Sequence, residues 1–144
     1  MAAVSNQESK SPAGGVRRAD DAERRAVAGA SATEIQILLG PADGAPNFAI
    51  RRFTMGPGGG MPVHTNQVEH EQFVLRGRAA VGIGTETFQV SAGDVLYIPA
   101  GVPHYYRVEE APFEFLCMVP NAQDKIEILG KPAATTQERD KTPC

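Results

Sequence analysis

The feature that most restricts how this chain can fold is a train of short runs with alternating apolar and polar residues between Thr33 and Pro120, cut at even spacing by Gly, Pro, Asn and Asp. The runs read EIQILL, NFAIRRFTM, MPVHTN, EQFVLRG, AAVGI, TFQV, DVLYIP, HYYRV and FEFLCMV, about nine strands in all. The breaks carry turn chemistry: Gly40-Pro41, the Gly56-Pro57-Gly58-Gly59-Gly60 run, Gly77, Gly84-Thr85, Ala92-Gly93-Asp94, Gly101 with Pro103, and Glu110-Ala111-Pro112. A period of two sends successive side chains to opposite faces, so each run offers one face that needs cover. Many short strands must also close or cover their edges. The expected architecture is therefore all-β, a sandwich, jelly roll or barrel.

The flanks differ. Residues 1–31 are rich in Ala, Ser and charge without a sustained apolar period; DDAERRAVAGA suffices for a short helix at most, and the segment reads as a flexible tail. The domain spans 32–130, including IEIL at 126–129, and 131–144 reads as a second tail. A chain of 144 residues amounts to one domain, and 42% hydrophobic residues with 15 Gly and 11 Pro suit a compact, turn-rich core. A net charge of −3 without a basic run argues against nucleic acid. No stretch approaches the ~20 apolar residues of a membrane span, and no apolar run follows a charged start, so a cytoplasmic location without membrane partners is expected. Cys117 and Cys144 build neither a disulfide framework nor a Cys-x-x-Cys knuckle, so any metal site must use nitrogen and oxygen ligands.

All three histidines fall inside the β region. His64 and Asn66 lie two apart and share a face of one expected strand. His70 follows across a turn at the head of EQFVLRG, and His104 stands at the head of HYYRV after Gly101-Val102-Pro103. A barrel interior lets two adjacent strands and a later one aim imidazoles at a common point, and three such ligands leave positions open for water or substrate. The alternative is three unrelated core or turn histidines, each bonded to backbone.

These residues carry a resemblance to the cupin superfamily. Its first motif, G-x5-H-x-H-x3,4-E-x6-G, is matched in spacing by Gly58, His64, Asn66, His70 and Gly77, with Asn66 at the second histidine and His70 at the glutamate. Its second, G-x5-P-x-G-x2-H-x3-N, is matched by Gly93, Pro99, Gly101 and His104, with Val108 at the final Asn. APNFAIRRFTMGPGGGMPVHTNQVEHEQFVLRG and FLCMVP also resemble the small bacterial cupins that bind manganese or a like metal through four histidines. The resemblance covers about residues 33–120 and implies a double-stranded β-helix barrel. It also implies one divalent transition metal (Mn, Fe, Zn or Ni) held by His64, His70 and His104. Asn66 is a weak amide ligand there, one acting through water, or a turn residue. Members of that wider group include a polyketide cyclase and proteins linked to oxidative cleavage of alkenes, and fold likeness does not choose between such chemistries.

Alternation and the resemblance supply further candidates. Gln72 shares the face of His70 and is a candidate to orient a ligand or water, or else a polar residue bonded to a neighbouring strand. Tyr106 shares the face of His104. Arg51 is implied by the resemblance to point inward as a carboxylate or enolate partner, with Arg52 facing out. Phe115, Cys117 and Val119 share one face and, with Phe53, form a candidate substrate wall; Cys117 equally reads as an inert small hydrophobe. Glu69 and Glu71 point away from the site. The Gly58-Gly59-Gly60 run is backbone freedom, since neither a helix pattern nor Lys-Ser/Thr follows it.

Three functions are compatible with these residues. The first is an oxygenase or other oxidoreductase with a mononuclear three-histidine site acting on a small organic molecule. The second is a non-redox metal-dependent cyclase, isomerase or lyase, for example of polyketide-type natural products, and the third is a binding or sensor module without catalysis. Exposed sheet edges also lead us to expect a homodimer.

Overall fold

The computed structural model describes residues 14–130. Eight strands run in chain order: β1 (Arg25–Ala26), β2 (Ser31–Leu39), β3 (Phe48–Thr65), β4 (His70–Ile83), β5 (Glu86–Ser91), β6 (Val95–Ile98), β7 (His104–Pro120) and β8 (Glu127–Gly130). Among the described residues only two 3-10 turns, Ala19–Asp21 and Pro41–Asp43, add helical backbone. The all-β expectation holds, and the strands form one antiparallel sheet ordered β1-β2-β3-β7-β4-β5, with β6 beside β4 and β8 beside β3.

The boundaries differ from the nine runs, and the differences have local causes. NFAIRRFTM and MPVHTN are one strand, because the glycine run is absorbed as a bulge: β3 slips register against β7 between Met55 and Gly60. EQFVLRG joins AAVGI, and HYYRV joins FEFLCMV, each through register shifts where β4 meets β7. Gly60 shows what the bulge requires. Its φ is +154°, and a Cβ there would sit 2.2 Å from the Tyr106 carbonyl oxygen, so only glycine lets β3 lie against β7.

Within the described part of the segment expected as a flexible tail, residues 14–31, the chain is docked. Arg25 and Ala26 pair with Ile35 and Glu34 on β2. The Gln36 amide donates to the carbonyls of Ala19 and Ala22 at 3.3 and 2.9 Å, and Arg52 reaches Asp20 at 2.6 Å. These polar contacts hold a segment that has too few apolar residues to announce itself in sequence. Residues 1–13 and the expected tail 131–144 lie outside the described residues.

The site is set by the position of β7, which lies between β3 and β4. Its pairings place Phe115 opposite Phe53 on one side and Val74 on the other, and Cys117 opposite Arg51 and Gln72. Directly opposed residues share a face, so this set lines the interior. Phe53, Val74, Phe113, Phe115, Cys117 and Val119 are core residues. Phe115 stacks between Phe53 and Tyr106 with both centroid separations 5.1 Å. The alternate residues look outward: Glu114 accepts from Thr54 at 3.0 Å and pairs with Arg76 at 3.3 Å.

Gly60→Ala should therefore destabilise the fold by about 3 kcal/mol or more, because backbone must move. Gly58→Ala should cost only about 1–2 kcal/mol for its left-handed φ, since nothing lies within 4 Å of its Cβ position. Denaturant unfolding of the two variants checks the difference.

Candidate metal centre

Three strand ends deliver the histidines. β3 closes on His64 and Thr65, β4 opens on His70, and β7 opens on His104. His64 and His104 are cross-strand partners, so their rings meet, with centroids 4.1 Å apart. His70 stands edge-on to His104 at 5.6 Å. All three are buried, at 3%, 4% and 1% exposure for His64, His70 and His104.

The backbone fixes how two of these rings are presented. Pro62 O lies 2.7 Å from His64 Nδ1, and Val102 O lies 2.9 Å from His104 Nδ1. A carbonyl only accepts, so each Nδ1 carries the proton and each Nε2 keeps its lone pair. His104 Nε2 is buried without a hydrogen-bond partner. An unpaired buried acceptor is costly unless something occupies it.

Burial also keeps the rings neutral. It lowers the pKa of all three: His64 below its usual value, His70 to about 4 with help from the Arg51 charge, and His104 to about 3 with help from His64. At neutral pH the group is thus a set of uncharged nitrogen donors.

Asn66, in the turn after β3, is the fourth member. Its Oδ1 lies 3.0 Å from His70 Nε2, and its Nδ2 donates to Asp124 at 2.9 Å. Two donors bound at about 2.1 Å to one octahedral ion would be about 3.0 Å apart. The Asn66–His70 spacing thus suits a hydrogen bond or an edge of a coordination shell equally. Among the described residues, no group of three or more His, Cys, Asp and Glu side chains is by itself disposed to hold an ion. His70 is the outlying ring, and its nearest polar contact is the Asn66 amide. A set of neutral imidazoles with one amide oxygen and an orphaned His104 Nε2 fits a divalent transition ion in donor chemistry.

The remaining expected site residues form a second layer on β3, β4 and β7. Gln72 Nε2 donates to the Tyr106 hydroxyl at 2.8 Å, and that hydroxyl donates back to Gln72 Oε1 at 3.1 Å. Gln72 Nε2 also reaches Cys117 Sγ at 3.4 Å, and Arg51 donates to the same sulfur at 3.3 Å. Arg51 does turn inward, with its guanidinium 5.4 Å from the Phe53 ring centre. Tyr106 is fully enclosed, and burial pushes its phenol well above the usual range. Phe53, Phe115, Cys117 and Val119, expected as a substrate wall, are packed together into the core beside this layer. Sequence reading missed Asp124: an acid in a polar stretch after Pro120 has no pattern to mark it.

The structure is thus a β-barrel with three buried imidazoles brought together from the ends of three strands. Residues 51–119 match the cupin domain family model, and the chain belongs to that family. It is similar to the polyketide cyclase RemF from Streptomyces resistomycificus, at 27% identity over 80% of this chain and 84% of that one, with a TM-score of 0.73. A cupin 2 domain-containing protein from Halorhodospira halophila is 30% identical over 70% of each chain, with a TM-score of 0.63. The quercetin 2,3-dioxygenase of Bacillus subtilis is 30% identical over 59% of this chain and 26% of that one. The chain spans about half or less of the length of the curated relatives it matches. Among the described residues no helix is long and apolar enough to cross a membrane.

The depressed histidine pKa values make metal-free stability depend on pH. The unfolded chain takes up these protons near pH 6.5, and the native state resists until about 4 for His70 and about 3 for His104. Since the unfolded state binds more protons in that window, stability falls as pH drops from about 6.5 to 3, by a few kcal/mol. Denaturant unfolding in chelator at stepped pH checks this, and His104→Leu should flatten the slope.

Proposed function

We propose that this chain is a metal-dependent enzyme in which His64, His70 and His104, with the Asn66 oxygen, hold one divalent transition ion beside a pocket for a small anionic or enolisable organic molecule. Such an ion supplies Lewis-acid polarisation of a bound oxygen and, for a redox metal, a site for dioxygen. The observation that carries the substrate class is Arg51. Its Nε is buried without a partner, its nearest polar contact is a sulfur, and among the described residues it is in no ion pair. A guanidinium in a barrel with neutral walls calls for a substrate carboxylate or enolate, which it binds bidentately.

The rest of the interior orients and encloses. Gln72 and Tyr106 lock each other, so the Tyr106 hydroxyl is a hydrogen-bonding wall and not a base. The Phe53–Phe115–Tyr106 stack gives an apolar surface against which a planar substrate packs.

Our first reading of the reaction is oxidation by dioxygen. Among the described residues no carboxylate shares the interior with the histidines: buried Glu114 faces outward, and Asp124 reaches only as far as Asn66. Abstracting a proton from carbon would need a base, and in this reading the imidazoles are committed to the ion, whereas oxygenating a substrate that arrives as an anion needs none. The second reading, a non-redox cyclase or isomerase, is supported by the likeness to RemF.

Oxygen uptake by metal-loaded protein against a panel of enolisable and phenylpropene substrates tests the first reading, which expects consumption that stops without dioxygen. Product formed anaerobically would replace it by the second, and no turnover under any metal would leave a binding module. Arg51→Gln should raise KM for an anionic substrate about 10- to 100-fold.

A further inference from the structure

Asp124 lies in the segment between β7 and β8, outside every motif, yet it spends its carboxylate on the turn that carries Asn66. Its Oδ1 accepts from the backbone N–H of Gln67 at 2.7 Å and of Lys125 at 2.8 Å. Its Oδ2 accepts from Asn66 Nδ2 at 2.9 Å. An ionised carboxylate accepts only, so the nitrogen end of the Asn66 amide must face Asp124. The oxygen end is thereby committed to the histidine cluster, 3.0 Å from His70 Nε2. An amide without such a partner is free to present either end, and only the oxygen can bind a cation or accept from His70.

We infer that Asp124 is a positioning residue: by fixing the Asn66 amide, it makes residue 66 present an oxygen to the centre and sets which nitrogen of His70 carries the proton. The inference rests on the metal-site reading for its consequence in ion binding, and its statement about His70 is independent of any ion. Three N–H donors converge on the Asp124 carboxylate, from Asn66, Gln67 and Lys125, so both its oxygens act as acceptors.

The isosteric exchange Asp124→Asn gives a sharp test. The N–H groups of Gln67 and Lys125 would keep the oxygen of the new amide where Oδ1 is now, which puts its NH2 against Asn66 Nδ2. Two donors repel, so Asn66 must turn over and offer its own NH2 to His70. In the metal-free protein, long-range 1H–15N NMR should then show the His70 proton moving from Nε2 to Nδ1. Co2+ alone serves as the binding probe, by calorimetry and by its visible spectrum. Asp124→Asn should weaken Co2+ binding about 10- to 100-fold, as loss of an outer-layer partner does.

The reversed pair, Asp124→Asn with Asn66→Asp, should restore Co2+ affinity to within a few-fold of the native chain or better, because residue 66 again presents an oxygen. A merely structural role for Asp124 would leave the His70 tautomer unmoved in Asp124→Asn and the pair unrescued; either result overturns the inference. If the native chain binds no Co2+ while the tautomer still switches, the metal reading falls and the positioning role stands. If Co2+ binds equally to native and Asp124→Asn proteins, the positioning role falls and the metal reading stands.

Discussion

The arrangement depends on one pairing: β7 hydrogen-bonded on both edges, to β3 on one side and β4 on the other. Antiparallel register fixes which residues face one another, and slipping it by one residue would send a whole side-chain set to the opposite face. With Phe115 opposite Phe53 and Val74, the same strand must place His104 opposite His64. The aromatic stack and the histidine cluster are thus two ends of one register. Two register shifts lie between them, one at the Gly60 bulge seated on the Tyr106 carbonyl and one between Met61 and His64, and they cancel.

The interior this creates is polar but nearly all neutral. Burial strips the histidines of protons, Gln72 and Tyr106 satisfy each other, and Asn66 is held between an acid outside and an imidazole inside. Among the described residues three buried side-chain nitrogens lack partners, His104 Nε2, His70 Nδ1 and Arg51 Nε. Buried groups left unpaired cost stability; in the proposed site the imidazoles would take a cation and Arg51 an anion. A metal ion and an anionic oxygen ligand would answer both needs together and tie the proposed site's two halves to a single chemistry.

Much of this was legible in the chain. Period-two alternation and Gly/Pro breaks gave an all-β closed sheet, because those signals are local. The motif spacing placed His70 and His104 at strand heads, where they are, and parity put Gln72, Tyr106 and Cys117 on the inner face. Strand ends were less legible, since a glycine that breaks one strand is a bulge in another, and only the partner strand decides. The docking of residues 19–26 by Gln36 and Arg52 was invisible for a similar reason: single polar contacts leave no period. Asp124 is the clearest loss. Its role comes from a contact with Asn66 across 58 residues of chain, and nothing near it in sequence points there.

The central claim is that three imidazoles from three strands share one cation. Anomalous scattering from a crystal of the protein loaded with one equivalent of Co2+ measures this directly. The account predicts a single peak at bonding distance from Nε2 of His64 and His104 and from a ring nitrogen of His70, with the Asn66 oxygen beside it. A peak elsewhere on the chain, or none while His104 Nε2 stays bare, would contradict it.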